Sequence, residues 1–261
     1  MNNSKVEFHG ENNIIFFDEG VKFDGSTIRF LADNSVVFIG SSGSHKTKLK
    51  VDIYNNSAFY IGSNCNTTRP IHVVLSEGKN VIIGNDCLFS LEIWFRNADP
   101  HLIYDGTTKK RINMSRSVFV GDHVWIGQNA FVSKGSCIGS GSIVGAKSVT
   151  GGKTIPSNCS SAGVPCKVIR ENIFWLKPSV HKYIEEDTKK SMNYNKDTYM
   201  YSADGKQIDF KKLEKCLDKC KTSGEMFDVL KEKIFENKDK NRFFIPSENK
   251  NRSGLKKLFS K

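Results

Sequence analysis

The sequence predicts a mainly β fold in which the chain winds as a solenoid of three-sided coils. Aliphatic residues recur every six positions at Val120, Ile126, Val132, Ile138 and Val144, followed more weakly by Thr150, Pro156 and Ala162. Slim residues follow four positions after these, at Val124, Ala130, Ser136, Ser142, Ser148, Thr154 and Ser160. Helices repeat every 3.6 residues and strands every 2, so neither explains a period of six. Stacked triangular coils do explain it, with the aliphatic and slim residues inside and glycines at the corners.

A longer repeat precedes these hexads. Similar segments end at Gly40, Gly62 and Gly84, which are 22 residues apart. Three hexads make 18 residues, so each earlier coil is expected to carry about four extra residues at a corner. Residues 5–30 read as worn versions of the same coils, and their inward candidates are Val6, Phe8, Ile14, Phe16, Phe23 and Ile28.

The rhythm stops over residues 96–117. Pro100, Asp105-Gly106 and the basic run Lys109-Lys110-Arg111 cannot continue the prism and indicate a protruding loop. Loops that project from a rigid scaffold often carry function. The sequence therefore predicts a β-solenoid domain over residues 1–172 with a functional loop.

Residues 173–261 form a predicted C-terminal extension, partly helical. Apolar residues at helical spacing lie between Asp209 and about Asn237, and Thr222-Ser223-Gly224-Glu225 indicates a break and restart. The last 20 residues are basic and poor in apolar groups, so we expect them to be loosely ordered. The extension is expected either to bind a partner or to cover part of a trimer. The alternative is that it only packs against its own chain as a helix.

Composition narrows the class of partner. The net charge of +11 favours anionic ligands, and no nucleic-acid-binding signature accompanies it. No apolar run approaches the roughly 18 residues that cross a membrane, and the N-terminus lacks the apolar core of a signal peptide. A cytoplasmic location with no transmembrane segment is therefore expected.

The cysteines are predicted to be reduced. Cys65 and Cys87 take the slim interior position of their coils, and Cys216 and Cys220 share a helix face. No ligand spacing for zinc accompanies them. The spacing of the histidines also fails to match the metal-dependent carbonic anhydrases that use this type of coil. No metal is expected.

Among the six histidines, His101 is the candidate for catalysis. It lies on the loop in Asn97-Ala98-Asp99-Pro100-His101, and either a carboxylate such as Asp99 or a backbone carbonyl could orient its ring. Transfer of an acyl group to a hydroxyl needs a base that removes the hydroxyl proton, and a neutral histidine is suited to this at pH 7. His123 points outward beside Trp125 and is expected to face solvent or an interface; a role in supporting the neighbouring site residues is the alternative.

Four segments resemble the hexapeptide-repeat O-acetyltransferases, in particular those of bacterial capsular polysaccharides and polysialic acid. They are Arg96 to Tyr104, Arg111-Ile112-Asn113, Gly121-Asp122-His123-Val124-Trp125-Ile126-Gly127, and Ala162 to Trp175. The similarity covers roughly residues 30–180 and departs at Cys166, where the family usually has alanine. It implies a left-handed parallel β-helix, a homotrimer, and acetyl-CoA as co-substrate in the groove between neighbouring prisms.

The resemblance also implies site residues. His101 would activate the acceptor hydroxyl for direct attack on the thioester, in a catalytic group with Asn97, Asp99 and Trp125. The backbone N–H near Gly127 would stabilise the oxyanion. Trp125 is turned outward by its inward neighbours and would line the acetyl or pantetheine site; a trimer contact is the alternative. The cofactor residues would be Gly127, Ala146, Lys147, Gly163, Pro165, Lys167 and Arg170, with phosphate contacts from the last two.

The acceptor is expected to be an anionic polysaccharide or oligosaccharide, and the implied reaction is O-acetylation of a sugar hydroxyl in a capsular or cell-surface polymer. Its candidate contacts near the loop are Trp94, Arg96, Tyr104 and Arg111. Association with capsule assembly machinery would fit such an acceptor. The alternatives are acetylation of a small molecule, such as a free sugar or an antibiotic, and a non-catalytic β-helix scaffold.

Overall fold

The computed structural model describes residues 2–247 and shows three sheets that form the sides of a prism. All their strands are parallel except the last, Lys167–Arg170, which pairs antiparallel with Ser160–Ala162. Sheet 1 contains Lys5–Phe8, Thr27–Phe30, Leu49–Ile53, Ile71–Leu75, Trp94–Arg96 and Phe131–Ser133. Sheet 2 contains Ile14–Phe17, Val36–Ile39, Ala58–Ile61, Val81–Ile83, Val118–Val120, Cys137–Ile138 and Thr154–Ile155. Sheet 3 contains Asn66–Thr67, Leu88–Phe89, Trp125–Ile126, Ile143–Val144, Ser160–Ala162 and Lys167–Arg170. The chain passes from sheet 1 to sheet 2 to sheet 3 in each full coil, as predicted for the left-handed parallel β-helix.

The interior follows the hexad pattern. Val120, Ile126, Val132, Ile138 and Val144 are all fully buried in one apolar core. The 22-residue repeat is confirmed, because Val36 pairs with Ala58 in register. The weaker end of the pattern holds at Thr150, which is buried, and is wrong beyond it. Ile138 pairs with Ile155, so that coil has lost one residue; Ile155 is buried, whereas Thr154 is exposed.

Two residue types make the corners, for different reasons. The glycines after the aliphatic residues are needed for close approach: a Cβ on Gly62 would lie 2.7 Å from the carbonyl carbon of Gly84 in the next coil. The left-handed conformation falls two residues later, at Asn64, Asp86 and His123, whose φ angles are 58°, 62° and 53°. Asparagine and aspartate tolerate this conformation better than most residues.

The first coils differ in part from the expected phase. Phe23 and Ile28 are buried, and Val6 packs on the core, as predicted. Phe8 is exposed, because its strand is the edge strand of sheet 1 and only one face of its ring is covered, by Phe30. The assignment of Ile14 and Phe16 to the interior was wrong, because both pack against the C-terminal helices on the outside of sheet 2.

The C-terminal extension packs on the outer face of sheet 2 from Phe210 onward. Its helices are α1 (Glu185–Lys190), α2 (Phe210–Lys219) and α3 (Ser223–Leu230), with a short 3-10 turn at Val180–Lys182 and a π-helical turn at Lys231–Phe235. Thr222 caps α3 as predicted, since its side chain accepts a hydrogen bond from Glu225 N. The buried apolar side of these helices consists of Leu213, Leu217, Met226, Leu230 and Ile234.

A buried ion pair fixes the end of the extension to the prism. The Arg242 guanidinium donates to both carboxylate oxygens of Asp122 at 2.9 and 2.8 Å, and also to the carbonyls of Ile234 and Asn237. Arg242 and Phe243 are 1% exposed. The predicted loose tail was therefore wrong for residues 242–247, because these groups are packed; the rest of that tail lies outside the described residues. No helix in the described part of the chain is long and apolar enough to cross a membrane.

Candidate functional site

The His101 loop leaves the prism at the corner between sheets 1 and 2, and Asn113 holds its two arms together. The buried Asn113 amide donates to the His101 carbonyl at 2.7 Å and to Asp99 Oδ2 at 3.2 Å. Its oxygen accepts from Ile103 N and from Arg111 Nε. Since every bonding position of this amide is used, the loop has a defined shape. The sequence analysis gave Asn113 no role, because no local pattern marks a hub between residues ten or more apart.

A second anchor ties the loop to the preceding coil. Arg111 donates to the two carboxylate oxygens of Glu77 at 2.7 and 2.9 Å, and Ser115 Oγ donates to the same carboxylate. The hydrogen bonds from Arg111 and then Ser115 lower the pKa of Glu77 to about 2. Arg111, a predicted acceptor contact, is therefore already paired within the chain.

The other loop residues of the predicted catalytic group support the loop. Asn97 is buried and donates to the carbonyls of Ser76 and Lys79. Asp99 accepts from Lys134 Nζ at 2.5 Å, and this hydrogen bond is the main cause of its lowered pKa. The prediction that Asp99 orients the His101 ring was wrong for this chain, because its carboxylate points to Lys134. The His101 imidazole is exposed, with no hydrogen bond from residues 2–247.

Trp125 lies on the outer face of sheet 3, as predicted. Val124 and Ile126 on either side are buried, and the indole is 38% exposed. In register with Trp125 across the same sheet lie Ile143, then Ser160, then Arg170. Arg170 therefore lies on the same column as Trp125, three strands away, and Lys167 lies on the same edge strand.

The remaining predicted cofactor residues line the corner between sheets 3 and 1. Gly127 must be glycine there, because a Cβ would lie 2.6 Å from Ala146 N in the next coil. Lys147 has a left-handed backbone, and its N–H donates to the Gln128 carbonyl. Gly163 follows on the next coil, with Pro165 exposed beside it. These residues form one ridge along the edge of sheet 3.

The remaining predicted acceptor contacts are spread over the loop and sheet 1. Trp94 is 37% exposed on sheet 1, with its ring stacked on His72 at a centroid distance of 4.2 Å. Arg96 is half-buried on the same strand, next to the start of the loop. Tyr104 is exposed and forms an antiparallel bridge with Arg111 across the loop. Trp94 therefore lies at the start of its strand, two residues before Arg96 and the loop.

His123 was expected to face solvent or an interface, and this was wrong. It is 1% exposed, because the extension folds back over it and stacks Trp175 on one face and Tyr199 on the other. No signal in the hexad pattern reports this cover, which comes from residues 52 and 76 positions later in the chain.

Within one chain, the structure does not bring His101 and Trp125 together. The loop leaves the corner between sheets 1 and 2, whereas Trp125 begins its strand on sheet 3 just after the corner between sheets 2 and 3. Sheet 2 and the helices that cover it lie between them. Among residues 2–247 no cluster of three or more His, Cys, Asp or Glu side chains could hold a metal ion.

Known proteins with similar sequences are polysialic acid O-acetyltransferases. The enzyme of Escherichia coli O1:K1 is 37% identical over 123 residues, which is 47% of this chain and 40% of that protein. The enzyme of Neisseria meningitidis is 39% identical over 115 residues, which is 44% of this chain and 54% of that protein. The matched segment thus spans about half the length of these curated relatives. No protein-family profile matches the sequence.

Solved structures extend the similarity over most of the prism. The polySia-specific acetyltransferase NeuO has a TM-score of 0.62 at 28% identity, covering 72% of this chain and 95% of that one. The polysialic acid O-acetyltransferase OatWY has a TM-score of 0.51 at 26% identity, covering 71% of this chain and 97% of that one. The resemblance predicted from the sequence is confirmed: in sequence and in fold, this chain is similar to the hexapeptide-repeat O-acetyltransferases that modify polysialic acid.

Proposed function

We propose that this protein transfers an acetyl group from acetyl-CoA to a sugar hydroxyl of an anionic polysaccharide, and that the active site is shared between two protomers of a homotrimer. The observation that supports the proposal most is the position of His101 on a braced loop at one corner, with Trp125 on another side of the same prism. Both curated relatives are polysialic acid O-acetyltransferases. A polymer of sialic acid is therefore the acceptor class we propose.

The loop has a surface suited to a second protomer. Five large apolar side chains on it are between 49% and 63% exposed: Leu102, Ile103, Tyr104, Ile112 and Met114. The far end of sheet 3 also exposes Val164 and Ile169, at 72% and 69%. Exposed apolar patches of this kind mark interaction sites. Docking of one protomer's loop on the neighbour's sheet 3 would cover both and bring His101 to Trp125.

The reaction we propose is direct transfer. His101 removes the proton as the acceptor oxygen attacks the thioester carbonyl, the carbon–sulfur bond breaks, and CoA leaves as a thiol after protonation. The backbone N–H near Gly127 would donate to the developing oxyanion. Lys167 and Arg170 supply positive charge on sheet 3 for the phosphates of the donor. Burial raises the pKa of the Cys137 and Cys159 thiols to about 11, which disfavours a thiolate nucleophile at either position.

Release of free thiol from acetyl-CoA tests the function. We expect thiol release that depends on polysialic acid, and a loss of at least about a hundredfold in His101→Ala, the range for removal of a general base. His9→Ala, which changes an exposed histidine at the far end of the prism, is the matched control and should keep full activity.

Three outcomes would contradict the proposal. Equal thiol release with and without any acceptor would mean that acetyl is not transferred to a sugar. Activity on a free sugar or an antibiotic but not on polysialic acid would favour a small-molecule acetyltransferase. No binding of acetyl-CoA in calorimetry would favour a non-catalytic scaffold.

A further inference from the structure

The buried ring of His123 contacts an aromatic ring on each face and an oxygen atom at each nitrogen. Trp175 and Tyr199 stack on its two faces, with ring centroids at 4.0 and 4.1 Å and interplanar angles of 9° and 15°. Nδ1 lies 2.6 Å from Asp86 Oδ2, and Nε2 lies 3.0 Å from the carbonyl oxygen of Trp175. The indole N–H of Trp175 donates in return to the carbonyl of His123 at 3.0 Å.

These partners define the protonation of the ring. A backbone carbonyl can only accept, and so can an ionised carboxylate. Burial raises the pKa of Asp86, but the hydrogen bonds from His123 and Lys177 outweigh it and leave that pKa below its ordinary value. Both ring nitrogens of His123 face oxygen acceptors, and we infer that both donate, as in an imidazolium. Two aromatic faces and one carboxylate are a favourable environment for such a cation.

The segment that contains Trp175 and Lys177 also contacts Trp125. The Trp175 ring centroid lies 5.9 Å from that of Trp125 at an interplanar angle of 47°, so the buried indole packs against the exposed one. Lys177, two residues on, donates to Asp86 Oδ1 at 2.6 Å and to the Asn64 carbonyl at 2.9 Å. The Asp86 carboxylate thus binds Lys177 through one oxygen and His123 through the other, which fixes the segment to the corner between sheets 2 and 3.

We propose that Trp175 and a doubly protonated His123 are positioning residues that hold the Trp125 indole in place for acyl transfer. The inference rests on the proposed function, because the role of Trp125 belongs to that function. Neither residue needs to touch substrate. His123 fixes the main chain and indole of Trp175, and Trp175 fixes Trp125. A shift of about 1 Å at a positioning group can cost about a hundredfold in rate.

Steady-state kinetics of variants tests this role. Trp175→Leu removes the support together with some buried packing, and we expect kcat to fall by about tenfold or more at a temperature where circular dichroism shows the variant folded. Trp175→Phe keeps an aromatic face and should restore most of the rate. His123→Asn suits the left-handed backbone and should lower kcat as Trp175→Leu does. The matched control is Phe174→Leu, because Phe174 contacts Tyr194 in the same segment rather than Trp125 or His123.

Equal losses in Trp175→Leu and Phe174→Leu would overturn the proposal, because loosening of the segment alone would then explain both. An unchanged kcat in folded Trp175→Leu would overturn it as well. Nitrogen-15 NMR of the histidine rings is independent of activity and of how well Trp175 variants fold. We expect one ring with both nitrogens protonated at about pH 7, absent in His123→Asn. A single ring proton would contradict the imidazolium. If the wild type releases no thiol with any acceptor, the proposed function fails, while the NMR result still decides the state of His123.

Discussion

Single side chains fix the geometry of this site more than the repeat does. Asn113 joins both arms of the His101 loop through four hydrogen bonds, two donated and two accepted. A buried amide with every position used costs little in the folded state, but its removal leaves several polar groups without partners. The shape of the loop therefore depends on this one residue.

Asn113→Ala should separate loop order from donor binding. We expect kcat to fall by about tenfold or more, because His101 loses a fixed position, while the affinity for acetyl-CoA measured by calorimetry stays near that of the wild type. Thr108→Ala at the exposed tip of the loop is the control and should be active. A wild-type rate in Asn113→Ala would mean that the loop needs no hub.

The carboxylate of Glu77 makes the loop sensitive to acid. Its pKa is about 2 in the folded chain against an ordinary value of 4.5, so the unfolded chain takes up the proton first. The stabilisation is complete above about pH 4.5 and is lost as the pH falls through about 2. In urea unfolding, we expect the wild type to lose more stability than Glu77→Gln between about pH 5 and about pH 3. Parallel losses in both proteins would contradict this assignment.

Among the elements, the coils were predictable and their cover was not. The six-residue rhythm predicted the inward positions of the strands because each coil repeats the same packing. The break over residues 96–117 predicted the loop, since Pro100 and the basic run cannot enter a prism. The inward positions predicted for Ile14 and Phe16 were wrong because their strand is apolar on both faces. One face packs into the prism, and the other packs against helices that lie far away in the sequence.

The sequence offers candidate residues for the site but not the contacts that these residues make. His101 and Trp125 came from the chemistry and the resemblance. The burial of His123 and the pairing of Asp99 with Lys134 depend on segments far apart in the sequence, which no local pattern reports.

The ion pair between Arg242 and Asp122 should dominate the attachment of the C-terminal extension. Arg242→Met leaves a buried carboxylate without its partner, which costs about 3–5 kcal/mol in the free energy of unfolding. Lys79 and Asp218 also join prism and extension, but at the surface. Lys79→Met is therefore the control, with an expected cost of about 1 kcal/mol or less in urea unfolding. Similar costs for the two variants would mean that burial does not distinguish the pairs.

At the scale of the molecule, the prism separates the two halves of the proposed site. The C-terminal helices cover sheet 2, and the His101 loop and the Trp125 face lie on either side of that covered sheet. A rigid solenoid cannot fold these halves together, which is why we propose that a second copy supplies one of them. A cyclic assembly repeats the same contact at every seam, which completes each site without further elements.

Mixing two inactive variants tests most directly whether the site is shared between protomers. His101→Ala and Trp125→Ala should each be inactive alone, and unfolding and refolding them together in equal amounts should restore thiol release. In random trimers about a quarter of the seams would pair an intact His101 with an intact Trp125 from the neighbour, so about a quarter of the wild-type rate is expected. A mixture as inactive as the separate variants, in trimers shown to have exchanged, would place both residues of each site in one chain and contradict a shared site.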